Sequence, residues 1–124
     1  MSQELLSDDV KDLIRRHIDS VAQLEALLFL RARPGELWDA ATTAIRLYAP
    51  ADGMARSLDR LHTDGFLQRD GDRYRYECSD ELRRRVDRLA AAYVSHLISV
   101  TNLIHSKPKD IREFSDAFRF GRDR

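Results

Sequence analysis

Several features are scarce or missing in this chain of 124 residues, and each absence excludes a class of protein. The single cysteine, Cys78, cannot build a disulfide framework within the chain or a zinc site made of several cysteines. No apolar run approaches the roughly 20 residues that a membrane-spanning helix needs, so we expect no membrane association. The first residues, MSQELLSDDVKDL, carry acids where a secretory signal peptide needs positive charge and an apolar stretch. We therefore expect a cytoplasmic protein.

An excess of charge of one sign is also missing. The 21 lysines and arginines balance 21 aspartates and glutamates, so the formal net charge at pH 7 is zero. Proteins that bind nucleic acid through bulk electrostatics carry a basic excess. Any nucleic-acid interface in this chain must therefore be formed by a few local residues. The length and the 43% share of hydrophobic residues are typical of one folded domain with one core.

Motifs of enzymes and metal sites are absent from the sequence as well. The glycines form no phosphate-binding loop, and we find no nucleophile elbow or pair of carboxylates in a recognisable setting. The histidines lie on different segments, without a neighbouring ligand at metal spacing: His17, His62, His96 and His105. We therefore expect no enzyme activity, no metal and no cofactor.

Helical periodicity dominates the first third of the chain. An N-terminal segment, residues 1–19, is predicted to form a helix over about 8–18 that is capped by Ser7 and packs on the domain or the dimer. Ser20, with a glutamine three residues later, predicts the start of a second helix. The Arg-Pro-Gly sequence at 33–35 ends that helix, because proline disfavours helical geometry in the residue before it.

Two more helices and a hairpin are predicted to follow. The first helix covers 36–48, and the second begins at a proline and covers 50–64. The spacing of the apolar residues then changes from helical to alternating, which predicts strands over 66–69 and 73–77 around an Asp-Gly-Asp turn. The apolar positions of the helix over 36–48 have helical spacing: Leu37, Trp38, Ala41, Ala44, Ile45 and Tyr48.

Residues 79–107 predict one long helix, closed by Pro108. By the rise per residue such a helix is ~40 Å long and overhangs a domain of this size. Its heptad-like apolar stripe needs a partner surface, so we expect it to form the interface of a homodimer, with His96 as a hydrogen-bonded interface histidine. The expected interface residues are Leu82, Val86, Leu89, Tyr93, His96, Leu97, Val100, Leu103 and Ile104.

The long helix also carries the one concentrated basic cluster of the sequence, Arg83, Arg84, Arg85 and Arg88. Two interpretations stay open. The cluster either contacts phosphate or an acidic partner, or pairs with acids of its own helix on a solvated face.

Residues 108–124 predict a C-terminal amphipathic tail with several phenylalanines. Aromatic side chains of this size are seldom left exposed without a purpose. We expect the tail to pack on the core, to cross onto a second subunit or to contact another protein. Its apolar residues are Ile111, Phe114, Phe118 and Phe120.

Residues 20–78, with three helices followed by a hairpin, resemble a winged helix-turn-helix. The residues that carry this resemblance lie in SLDRLHTDGFLQRDGDRYRYE and match the pattern L-x-x-L-x-x-x-G-hydrophobic-hydrophobic: Leu58, Leu61, Gly65, Phe66 and Leu67. Together with the long helix, the order of elements is similar to that of MarR-like and PadR-like transcriptional regulators. The resemblance implies a mainly α fold with a small β-hairpin and a long C-terminal dimerisation helix.

The resemblance also implies a function, the regulation of transcription by a homodimer that binds double-stranded DNA. The helix 50–64 would lie in the major groove, and the hairpin 66–77, the wing, would approach the minor groove or the backbone. Arginine can pair with guanine or bind phosphate. The implied contacts are Ala51, Gly53, Arg56, Ser57, Arg60 and Thr63 on the helix, and Arg69, Arg73 and Arg75 on the wing.

Acidic residues of the same region support an alternative. Asp52 stands at the start of the helix, and Asp70 and Asp72 flank the turn of the wing, where negative charge opposes the release of counterions from DNA. Arg56 and Arg60 either contact DNA or form pairs on a solvated face with acids three or four residues away, Asp59, Asp52 or Asp64. In the second case the winged helix is a protein-interaction module with a charge-balanced surface.

Overall fold

The computed structural model describes residues 6–106, which are mainly helical with a small antiparallel sheet. The predicted tail, 108–124, lies outside the described residues. Within 6–106 the elements are α1 (Asp8–His17), α2 (Val21–Arg31), β1 (Trp38–Asp39), α3 (Ala40–Leu47), α4 (Ala51–Thr63), β2 (Leu67–Asp70), β3 (Arg73–Tyr76), α5 (Asp80–Ser95) and α6 (Leu97–Ser106). None of these helices is long and apolar enough to cross a membrane.

Side-chain caps determine where the first two helices begin, as predicted. The hydroxyl of Ser7 accepts a hydrogen bond from the N–H of Val10 (3.2 Å), and that of Ser20 accepts one from the N–H of Gln23 (3.0 Å). The Gln23 side chain is buried and bonds two more backbone groups: its Oε1 accepts from the N–H of Asp19, and its Nε2 donates to the carbonyl of His17. Gln23 therefore joins the end of α1 to the start of α2.

The predicted hairpin is confirmed, and a third strand that the sequence did not reveal pairs with it. Strands β2 and β3 are antiparallel, and β1 pairs with the other edge of β3, with Trp38 opposite Tyr74. The prediction of helix from residue 36 is therefore wrong at its start. Asp39 instead caps α3 by accepting a hydrogen bond from the N–H of Thr42 (2.8 Å).

One core joins the helices and the sheet. Helix α2 packs on α4, α3 packs on α4, and α1 packs on both α5 and α6. The largest fully buried side chains are Leu13, Ile14, Ile18, Leu24, Leu27, Leu30, Met54, Leu58, Leu61, Phe66, Leu67 and Leu89. At about 1.5–3 kcal/mol for each large apolar side chain removed from water, this core is the main source of stability.

The prediction of one long helix over 79–107 is wrong. The helix breaks at His96 (φ −135°, ψ 52°), whose ring Nδ1 lies 2.7 Å from the carbonyl oxygen of Ser95, and α6 then packs against α1 and α5. Of the nine expected interface residues, four are buried in the core of this same chain: Val86, Leu89, Val100 and Ile104. Leu82, Tyr93, His96 and Leu103 are half-buried, and Leu97 is exposed.

Candidate nucleic-acid interface

Helix α4 has one face in the core and one in solvent. Met54, Leu58 and Leu61 anchor its inner face, and each is at most 1% exposed. The helical period places the intervening residues outward. The exposed residues of α4 are Ala51, Asp52, Ala55, Arg56, Asp59 and Thr63.

Arg56 is exposed on this outer face, and its guanidinium makes no hydrogen bond or ion pair with any residue of 6–106. It lines a cleft of about 420 Å³ between the first turns of α2 and α4, together with Ser57 and Gly53. A Cβ atom placed on Gly53 would meet only the Arg56 side chain, at 4.0 Å. Among the predicted contacts, Arg56 therefore has a free charged group beside open space.

Arg60 has a different environment, although it lies one helical turn after Arg56. Its Nε donates to Asp64 Oδ2 (2.9 Å), its Nη1 to Asp19 Oδ2 (2.9 Å) and its Nη2 to the carbonyl of Arg16 (3.0 Å). Three of the five N–H donors of the guanidinium are thus used within the chain. Pairing with an acid is thus confirmed for Arg60, with Asp64 four residues later, but the pair is half-buried rather than on a solvated face. Arg60 also fastens the α1–α2 junction to the end of α4.

The carboxylate of Asp64 completes this cluster. His17 Nδ1 lies 2.9 Å from Asp64 Oδ2, the oxygen that also accepts from Arg60. Burial raises the pKa of Asp64, but the hydrogen bonds from His17 and Arg60 outweigh it and hold the pKa below its ordinary value. We call His17, Asp19, Arg60 and Asp64 the α4 clamp, because together they fix the C-terminal end of α4.

Two arginines of the wing also have partners within the chain. Arg69 donates from Nε to the carbonyl of Gly71 (2.7 Å) and lies 3.8 Å from the Asp59 carboxylate. Arg75 donates from Nε to Glu77 (2.8 Å). Both side chains are partly exposed, so these ion pairs contribute little free energy and can be replaced by contacts with another molecule.

Arg73 makes no hydrogen bond or ion pair within the described residues, but its charge acts on Asp39. The N–H of Thr42 has the largest effect in lowering the pKa of Asp39, and the Arg73 guanidinium adds a weaker contribution. Arg73 also lines a second cleft, of about 540 Å³, with Thr42 and Trp38. The wing thus presents Arg73 beside the start of α3.

Four acids of this region are exposed. Asp52 and Asp59 lie on the outer face of α4, and Asp70 and Asp72 flank the turn of the wing. Arg56 and Arg73 therefore stand among negative side chains. A nucleic acid that binds here would gain its affinity from a few specific contacts rather than from a broad positive field.

The apolar stripe predicted for the helix over 36–48 is wrong at two of its positions, Ile45 and Tyr48. Ile45 is 73% exposed and Tyr48 is 97% exposed, although their spacing fits a buried helical stripe. Ile45 lies within α3, whereas Tyr48 follows the last helical residue, Leu47, and has a left-handed backbone (φ 55°, ψ 45°). The exposed tyrosine lies in the turn that leads into α4.

Three of the four arginines in the cluster of α5 pair with acids. Arg83 lies 3.8 Å from Asp80, Arg85 lies 3.4 Å from Glu81, and Arg88 contacts Asp9 of α1 at 2.8 Å. Pairing with acids of the same helix is therefore confirmed for Arg83 and Arg85. Arg88 pairs with α1 instead, and Arg84 is exposed without a hydrogen bond or ion pair in residues 6–106.

Residues 6–106 contain no group of three or more histidine, cysteine, aspartate or glutamate side chains that could hold a metal ion. Comparison of the chain with protein-family models, with curated proteins and with solved structures finds no match.

Proposed function

We propose that this chain is a winged-helix protein that binds duplex DNA as a cytoplasmic homodimer and regulates transcription. The observation that carries the proposal is the arrangement of α4 and the wing. Helices α2, α3 and α4 are followed directly by the β2–β3 hairpin, β2 packs against α4, and the outer face of α4 is in solvent. This is the order of elements that places a helix in the major groove and a hairpin beside it.

The dimensions of α4 suit a DNA groove. Its 13 residues span about 20 Å at 1.5 Å per residue, and the major groove is roughly 12 Å wide. The helix is held from behind by its buried leucines and at its end by the α4 clamp, so its outer face is rigidly positioned. Because the backbone of the helix is already ordered, it loses little conformational entropy when its side chains contact base edges.

The arginines of the site have separate roles in this proposal. Arg56 provides the free guanidinium that pairs with guanine or with a phosphate oxygen. Arg73, on the wing, contacts the backbone of the flanking DNA. Arg60 is a positioning residue that holds α4 in place and does not itself contact DNA.

The homodimer is proposed to form at the junction of α5 and α6 rather than at the buried stripe. Three of the five large apolar side chains that are exposed in residues 6–106 lie there, within five positions: Val94 (85%), Leu97 (48%) and Ile98 (68%). Clusters of exposed apolar residues mark interaction surfaces. A pair of α4 helices related by twofold symmetry would then read two half-sites.

The proposal is tested by titrating a labelled random duplex with the wild-type protein and with Arg56→Ala at low salt. We expect non-specific binding with Kd in the range of ~10⁻⁴–10⁻⁶ M for the wild type. Removal of a charge-assisted hydrogen bond in Arg56→Ala is expected to weaken binding about tenfold. Arg83→Ala is the matched control, because Arg83 is an exposed helical arginine on α5 and we expect its removal to leave affinity unchanged. Equal binding by Arg56→Ala and the wild type would contradict the proposed contact.

A protein-interaction module is a second candidate, favoured by the acids of α4. The outer face shows Asp52 and Asp59 beside two alanines, with Arg56 as its one unpaired cation among the described residues. The two functions differ in how Asp52→Asn acts. In a DNA-binding protein this substitution raises the affinity for duplex DNA, because it removes repulsion from phosphate. In a protein-interaction module neither Asp52→Asn nor the wild type binds the duplex.

A further inference from the structure

Tyr48 has a backbone conformation that an aromatic residue rarely adopts. With φ 55° it is the one residue other than glycine with positive φ in the described part of the chain; the other positive values belong to Gly35, Gly65 and Gly71. The conformation closes α3: the Tyr48 N–H donates to the carbonyl of Ile45 (3.3 Å) and the next N–H to that of Ala44 (2.9 Å). Glycine ends a helix in this way without the clash that a Cβ atom introduces.

The side chain of Tyr48 contributes nothing to the packing that would offset this strain. It is 97% exposed, and within residues 6–106 it makes no hydrogen bond and no ring contact. The other three tyrosines, Tyr74, Tyr76 and Tyr93, are buried or half-buried. The end of α3 therefore explains why the backbone of residue 48 is left-handed. It does not explain why the side chain at this position is a tyrosine.

The surroundings of Tyr48 connect it with α4. Ile45, in the last turn of α3, lies three residues earlier and is also exposed, so two exposed apolar residues stand close together in the sequence at the end of α3. Two residues after Tyr48, Pro50 caps the start of α4, and the exposed residue Ala51 follows. The apolar pair is thus continuous along the chain with the outer face of α4 that carries Arg56.

We propose that Tyr48 is a DNA-backbone contact, an inference that rests on the proposed DNA-binding function. Its phenol hydroxyl donates a hydrogen bond to a phosphate oxygen, and its ring packs with Ile45 against the adjacent deoxyribose. Tyrosine is among the residues that commonly contact phosphate and sugar. Such a contact positions the start of α4 in the groove, while Arg56 supplies the charge. Strained residues that the fold does not require are typical of functional sites. A role in binding explains why such a residue is kept although it destabilises the fold.

The test separates the backbone of residue 48 from its side chain. In Tyr48→Gly the strain is relieved, so we expect the midpoint of thermal unfolding to stay the same or rise. We expect the same variant to bind a labelled duplex about tenfold more weakly, as for removal of one hydrogen bond to a charged group together with ring packing. Tyr48→Phe, which keeps the ring and lacks the hydroxyl, should fall between Tyr48→Gly and the wild type. Arg83→Ala is the control, because it truncates an exposed side chain of α5 that lies outside α4, the wing and the proposed dimer interface, and it should leave DNA affinity unchanged.

Each outcome has a distinct meaning. A folded wild-type protein that binds no duplex at low salt refutes the proposed function, and this inference with it. If the wild type binds and Tyr48→Gly binds equally well, the Tyr48 contact alone is refuted, and a protein partner becomes the better explanation for the exposed pair. A fall in the unfolding midpoint of Tyr48→Gly would show that the ring stabilises the fold and would also refute the inference.

Discussion

Replacing Arg60 by alanine is expected to destabilise the fold, and not merely to remove a surface charge. The guanidinium bonds three groups, Asp64 at the end of its own helix and two groups near the α1–α2 junction, and its side chain is 25% exposed. Partly exposed ion pairs contribute about 0.5–1 kcal/mol each, and a bond from a charged donor to a backbone carbonyl about 1 kcal/mol. The free energy of unfolding should therefore fall by about 2–3 kcal/mol. For a domain of this size that lowers the unfolding midpoint by roughly 8–12 °C.

The assay is thermal unfolding followed by circular dichroism, with Arg56→Ala as the control on the same helix. Arg56 is exposed and unpaired within residues 6–106, so its removal should change stability by no more than ~0.5 kcal/mol. Arg60→Lys keeps the charge but cannot reach three acceptors in fixed geometry, and should be intermediate. If Arg60→Ala is as stable as Arg56→Ala, the α4 clamp does not hold α4 in place, and Arg60 becomes a candidate for contact with DNA again.

Three further predictions concern acid stability, the core and the dimer. Because its pKa is lowered in the folded state, Asp64 stabilises the fold above its unfolded pKa near 3.8, and this contribution is lost as pH falls through the folded value. The wild type and Asp64→Asn should therefore differ less in free energy of unfolding at low pH than at pH 7. A difference that stays constant over this range would contradict the proposed role of the Asp64 carboxylate. Leu89→Glu should leave the chain unfolded by circular dichroism, because it buries a charge in the core; a folded variant would show that α5 is displaced from its place here. The double substitution of Leu97 and Ile98 by glutamate should give folded monomers by light scattering, and a persistent dimer would place the interface elsewhere.

The sequence predicted most of the helix starts and the hairpin because these depend on local chemistry. Ser7 and Ser20 cap their helices through residues three positions away, and the Asp-Gly-Asp turn brings β2 and β3 together over a short span. Strand β1 was missed because two residues have no periodicity of their own. Its pairing with β3 joins residues that are far apart in sequence.

The break at His96 could not be predicted from the pattern. The apolar spacing continues through it to Val100 and Ile104, and neither glycine nor proline interrupts the run. What separates α5 from α6 is tertiary packing, since α6 packs against α1 as well as α5. The local hydrophobic pattern is the same for one long helix and for two packed ones, so it does not distinguish them.

The candidate site shows the same division between local and distant contacts. The pairing of Arg60 with Asp64 follows from their spacing of four residues on a helix. Its contact with Asp19 crosses 41 residues and follows from the packing of α2 on α4. Helical spacing does not reveal that Tyr48 has a left-handed backbone and an exposed side chain. The sequence therefore predicted the positions of α4 and of the hairpin 66–77. The structure adds that Arg60 is bonded within the chain, whereas Arg56 has no partner in residues 6–106.

The proposed function is tested most directly by measuring the affinity of the wild-type protein for a random duplex as salt is raised. We expect micromolar to submillimolar binding at low salt, with log K falling linearly against log [salt]. The slope should be shallower for Arg56→Ala, since removing one phosphate-binding cation reduces it by about 1. A folded wild-type protein with no measurable binding at the lowest salt would contradict DNA binding. The acids of α4 and the wing would then mark a surface for a protein partner.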